Sequence, residues 1–187
     1  MPGTAIGKSL ALGYAGKVSR NPMNKIDSKF VKSILNGSGV ETLAVVPFGA
    51  ALVLNTDNTV SLFGQTGAGV KTAAAAAFAG IAVAEVKQAM TYGYGANSGG
   101  GQYEPAMPCD RLVQGTATVI CTEGTPTAGG AVYIVTVAGS TSALGAFVAT
   151  STPACGTAVA LPNCQWATGK QDASGICELT ILWPVSA

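Results

Sequence analysis

Apolar and polar positions along this chain follow the period of strands much more than that of helices. Leu43 to Asn55 is an apolar run containing Val45, Val46, Phe48, Leu52, Val53 and Leu54. Asn55-Thr56-Asp57-Asn58 is a turn cluster, and Thr59 to Phe63 then alternates, so the two runs predict a hairpin. Gln65 to Lys71 is a Gly-rich loop, and Ala73 to Ala77 with Phe78-Ala79-Gly80 reads as a loop or a single helical turn. Ile81 to Lys87 alternates as a half-buried strand, and Tyr92 to Gln102, with five glycines, reads as a loop. Leu112 to Ile120 is strand-like, with Gly115 predicting a bulge or bend. Val132 to Val137 is a β-branched run, Ala146 to Ala149 a short strand, and Ile176 to Trp183 a strand entered from the turn Asp172 to Gly175. Many short strands separated by turn clusters predict an all-β fold, a small barrel or sandwich.

Charge divides the chain unevenly. Residues 1–32 carry Lys8, Lys17, Arg20, Lys25, Lys29 and Lys32 against Asp27 alone, a net of +5. Residues 33–187 carry four basic residues against eight carboxylates, a net of −4. The basic segment is rich in Gly and Pro and has little apolar periodicity after Leu12, which predicts an extended N-terminal arm. The expected organisation is an arm over residues 1–40 and a β domain over 41–187. Beyond Tyr14 and Phe30 the arm has no interleaved aromatics for stacking on single strands, and the whole-chain charge is only +1. Nucleic acid is therefore not expected as a partner, and a complementary protein surface is the preferred one.

Charged residues make up 10% of the chain, where about 25% is usual. None occurs between Glu123 and Lys170, a stretch of 46 residues. A soluble monomer keeps charge on its surface, whereas interface centres are depleted of it. The stretch therefore predicts an outward face that meets other protein, in a homo-oligomer or a lattice. Mean hydropathy is +0.40. The most apolar part, 129–150, is broken at Gly139-Ser140-Thr141-Ser142, so a membrane-spanning segment is not expected. The N-terminus lacks a basic region followed by an apolar core, so a signal peptide is not expected either.

With no histidine in the chain, Ser-His-Asp and Cys-His systems and every His-containing metal site are excluded. Cys109, Cys121, Cys155, Cys164 and Cys177 show no C-x-x-C spacing and read as free, buried thiols, with a Cys155–Cys164 bridge left open. No metal or cofactor is expected. Gly3 to Ser9 approaches a phosphate-binding loop, but three residues separate its glycines where four are needed, and no strand precedes it. Glu104 and Asp110 are the nearest acids for a carboxylate site, yet no motif supports one, and Asp110 beside Arg111 reads equally as a surface pair.

Several segments, in order, resemble the structural cement proteins of tailed-bacteriophage heads. They are Gly13 to Arg20, Val53-Leu54-Asn55, Phe78 to Ala89, Pro108 to Gly115, Gly124 to Tyr133, and Leu161-Pro162-Asn163 through Trp166 to Gly175. The cysteines after Cys121 depart from that pattern. The resemblance implies a non-enzymatic virion protein, made in the bacterial host cytoplasm and bound to the outer surface of the capsid. It implies that neighbouring major capsid proteins are bridged, that the protein associates with itself as a homotrimer, and that no membrane is involved. The arm residues Lys8, Tyr14, Lys17, Arg20, Lys25, Lys29 and Lys32 are then expected to dock on the shell. The alternative is a virion-surface adhesion or carbohydrate-binding module using Tyr92, Tyr94 and Tyr103.

Overall fold

A computed structural model describes residues 12–19, 23–84, 101–140, 142–154 and 156–183. The strands are β1 (Lys25–Phe30), β2 (Val46–Pro47), β3 (Ala51–Leu54), β4 (Val60–Leu62), β5 (Phe78–Ala82), β6 (Gln102–Tyr103), β7 (Pro108–Glu123), β8 (Ala131–Val137), β9 (Phe147–Val148), β10 (Thr157–Gln171) and β11 (Ile176–Ile181). One 3-10 turn, Ala75–Ala77, interrupts them. The chain is all-β, and its centre is a barrel.

The barrel closes because β7 has partners on both edges. The order β11-β10-β8-β9-β7 returns to β11 through a further β11–β7 ladder. Only β9 runs parallel to β7; the other barrel pairs are antiparallel. Period-two patterning fills the interior. Ala117, Val119 and Cys121 of β7 point inward with Val132 and Ile134 of β8 and Phe147 of β9. Leu161, Cys164 and Trp166 of β10 and Cys177, Leu179 and Ile181 of β11 complete that core. Phe78 meets Phe147 edge to face, with ring centroids 6.1 Å apart, and ties β5 to the barrel.

The first half of β7 belongs to a second, curled sheet. There β7 pairs with β1 on one edge and β5 on the other, and the sheet continues through β3 to β4. Val31 bridges back to Val60, so the chain after β1 curls round to β4. Val31, Val46, Leu52, Val60, Ala82, Tyr103 and Cys109 form a smaller core beneath it.

The changeover falls at Gly115, the bend expected from sequence. Ile181 of β11 pairs with Gly115, and Lys25 of β1 takes over at Gln114. Gly115 has φ +120°, and Asn24 occupies the space a side chain would need, its Cα lying 2.9 Å from an added Cβ. Asn24 Oδ1 accepts from Thr116 N at 3.1 Å, filling the step between the two partner strands. Gly115→Ala is therefore expected to cost about 2–4 kcal/mol, from the strained φ together with displacement of Asn24. A urea unfolding midpoint matching the wild type would refute this.

Three elements differ from the sequence reading. Lys25–Phe30, read as part of an arm, is a strand at a sheet margin, with Lys25 exposed and Asp27 and Lys29 half-buried. Phe78-Ala79-Gly80, read as loop, opens β5; Gly80 (φ +139°) lets the Leu112 carbonyl approach closely. β10 was not read from the pattern at all. Its ladder with β8 slips between Ala160 and Gln165, so Pro162 sits in a bulge where its missing N–H does no harm.

Candidate functional site

Lys8 and Arg20 lie outside the described residues. Tyr14 and Lys17 are exposed, on a segment laced to β7. Thr118 Oγ1 donates to the Tyr14 carbonyl at 2.6 Å and accepts from Lys17 N at 2.9 Å. Val18 bridges Ala117, and Lys17 bridges Ala84 on the other side. Ser19 Oγ donates to Glu178 Oε1 at 2.5 Å, so the Glu178 carboxylate on the barrel's outer wall is covered and bonded.

The other basic residues divide in two. Lys25 is exposed at the start of β1. Lys29 and Lys32 reach the β3–β4 turn, where Lys29 Nζ donates to Asn58 Oδ1 at 2.8 Å and Lys32 Nζ pairs with Asp57 at 2.6 Å. The Lys32 ammonium, with the Thr59 hydroxyl, holds the Asp57 carboxyl down at about 2. Lys29 and Lys32 thus brace the fold, the Lys32 charge being offset by the Asp57 carboxylate.

Arg111 corrects the sequence reading. It does not lie at the surface. Its side chain is 5% exposed, and it forms a two-pronged pair with Asp27 across the β1–β7 ladder, at 2.8 and 2.5 Å. Burial alone would raise the Asp27 carboxyl. The Arg111 hydrogen bonds and charge, with Lys29 and Lys25 nearby, outweigh it, so the net shift is downward. The partner is 84 residues distant in the chain, and no local signal marks it.

The charge-free stretch forms β8, β9 and most of β10. Along the β8–β10 ladder Tyr133 lies opposite Ala160 and Val137 opposite Thr157. Val137 and Val159 are exposed, as is Ala160, while Tyr133 is half-buried. Tyr133, Val137, Thr157 and Ala160 therefore share one wall of the barrel with no charge among them, while Val159, opposite Ile134, faces the other way.

Tyr103, which the alternative reading places with Tyr92 and Tyr94 in a glycan-binding loop, is part of the smaller core. Its hydroxyl donates to the Val83 carbonyl at 2.5 Å, and its ring meets Phe48 edge to face. Tyr92 and Tyr94 lie outside the described residues. Glu104 is exposed in the turn before β7, and Asp110 lies on β7 opposite Ser28. Cys109, Cys121, Cys164 and Cys177 are free and buried, and burial pushes the Cys164 thiol up to about 12. Cys155 lies outside the described residues. Among the described residues no group of three or more acidic or cysteine side chains could hold a metal. No helix there is long and apolar enough to cross a membrane.

A barrel with an adjoining curled sheet, one uncharged wall and a basic N-terminal segment defines a protein built around its surfaces. The comparisons give the family. The profile of the structural cement proteins, described by E217 gp24 and Pam3 gp6, matches residues 1–182. The chain belongs to this family of phage capsid structural proteins. A chain of the capsid of Myoviridae phage XM1 has the same fold, with a TM-score of 0.62 and 17% identity, over 97% of this chain and 98% of that one. No curated protein matches the sequence.

Proposed function

We propose that this protein binds the outer surface of the phage head and stabilises the shell by bridging neighbouring major capsid proteins. It acts without catalysis, and neither nucleic acid nor a membrane is its partner. It is made in the bacterial host cytoplasm and associates with itself as a homotrimer through the uncharged wall of β8 and β10. That wall is the observation that carries the reading, because an uncharged apolar face is stable in water only when most of it is covered. Tyr14 and the basic residues Lys8, Lys17, Arg20, Lys25, Lys29 and Lys32 supply the docking surface toward the shell. Several modest contacts then add, since each further one is made within a single assembly.

The test is a binding titration onto expanded cognate heads that lack this protein. Saturation at a fixed ratio to the shell protein, with greater resistance of the heads to heat, is the expected result. Removing residues 1–32 would also remove β1, so the docking role is tested by reversing charge at Lys8, Lys17, Arg20 and Lys25 together. Binding is expected to weaken at least about tenfold and to lose most of its salt dependence. Absence of saturable binding by the wild-type protein would overturn the cement reading.

A further inference from the structure

Between β1 and β2 the chain makes a protruding finger, residues 33–43, whose construction is unusually complete for an exposed hairpin. At its root Ile34 and Leu43 press on Gly67, where an added Cβ would lie 2.9 Å from Ile34 Cδ1 and 3.2 Å from Leu43 Cδ2. In its stem the Glu41 carboxylate accepts from Ser33 Oγ at 2.5 Å and from the backbone N–H groups of Ile34, Thr42 and Leu43 at 2.9–3.0 Å. These bonds keep its carboxyl at about 2. At the tip Asn36 Oδ1 accepts from Ser38 N and Val40 N, each at 2.9 Å, and Asn36 N donates to the Val40 carbonyl.

This framework holds six consecutive exposed residues, 35–40, none of them charged. Two are large and apolar: Leu35 is 61% exposed and Val40 59%. Leu35 pairs with Glu41 and Asn36 with Val40, and successive residues of a strand face opposite ways. Leu35 and Val40 therefore project from opposite faces of the tip. A flat partner would cover only one of them; a cleft with two apolar walls covers both.

The geometry points to this finger as a wedge that inserts between two adjacent shell subunits, Leu35 against one wall and Val40 against the other. The inference rests on the cement reading and names its contact. The shell is the occupant favoured over a second copy for two reasons. The finger continues directly from Lys29 and Lys32, the basic side assigned to the shell. It also follows β1 of the curled sheet in the chain and is no part of the uncharged barrel wall assigned to self-association. A prebuilt hairpin loses little conformational freedom on insertion, which suits a contact that must form on an already assembled surface.

The test compares the full-length wild type with Leu35→Asp, Val40→Asp and Leu35→Ala/Val40→Ala in the same head-binding titration. Thermal unfolding and light scattering are run on each protein alone. All six tip residues are exposed, so the folded state and the oligomer are expected to be unchanged. Binding to heads is expected to weaken about tenfold or more for either aspartate variant. Equal binding by the wild type and both aspartate variants would overturn the wedge while leaving the cement reading intact. Loss of the oligomer in the variants would also overturn it, placing the finger between copies of this chain. If the wild type itself fails to bind, the cement reading falls and the wedge with it.

Discussion

Trp166→Ala is expected to lower stability by about 3–5 kcal/mol, because the indole is fully enclosed where β10 crosses the barrel. Its neighbours come from separate strands held in a closed ladder, so the walls cannot move in to fill the space. A domain of this size has about 5–15 kcal/mol in total, so the variant should lose a large share of it. Urea unfolding followed by far-ultraviolet circular dichroism measures the shift in midpoint. A loss below about 1 kcal/mol would mean that Trp166 does not close the barrel core as described.

Asp27→Ala is expected to cost about 3 kcal/mol or more by a different route. The substitution removes little apolar contact but strands the Arg111 guanidinium, 5% exposed, without its two-pronged partner. Asp27 itself is about one-third exposed, which holds the loss toward the lower end of the range for buried pairs. Asp27→Ala combined with Arg111→Met should recover most of the stability, since no charge is then left buried. A double variant as unstable as Asp27→Ala alone would contradict this account. The pH dependence carries a definite sign. The Asp27 carboxyl is lowered in the folded state, so its contribution is complete above the ordinary carboxylate range. It is lost as pH falls through the lowered folded value. The wild-type advantage over Asp27→Ala should therefore shrink on acidification, and only at the acid end.

What could be read from sequence follows from where period-two patterning is strong. β8 is a run of β-branched and aromatic residues, and the β3–β4 hairpin is flagged by Asn55 to Asn58, so both were legible. β11 alternates Cys177, Leu179 and Ile181 against the core and was legible for the same reason. β1 was hidden because its sequence, Lys-Ile-Asp-Ser-Lys-Phe, alternates charge with apolar side chains that stay exposed. β10 was hidden because Pro162, Asn163 and Gly169 break any pattern; the first two fall in the bulge opposite β8, and Gly169 in the slip of the β10–β11 ladder between Trp166 and Gln171. Of the proposed docking surface, the excess of basic charge was legible. Its division between exposed Lys17 and Lys25 and the braced Lys29 and Lys32 was not, because that depends on the β3–β4 turn reaching back to β1. The finger was invisible for a related reason: its rigidity comes from one carboxylate gathering backbone donors, which no composition or period records.

The shared strand β7 has a mechanical consequence. Its 16 residues run unbroken from the curled sheet into the barrel, so the two cores are joined along one covalent backbone and not only by packed faces. Ladder hydrogen bonds lie across a strand, perpendicular to its axis in antiparallel pairs. A pull that separates the two cores along β7 therefore loads the flanking ladders in shear, many bonds at once, instead of peeling them one after another. Gly115, where the β11 ladder ends, directly follows Gln114, where the β1 ladder ends, so the load path changes partners between these two residues. Tension from a swelling surface would reach one core from the other through it, which makes β7 the tie-rod of the molecule.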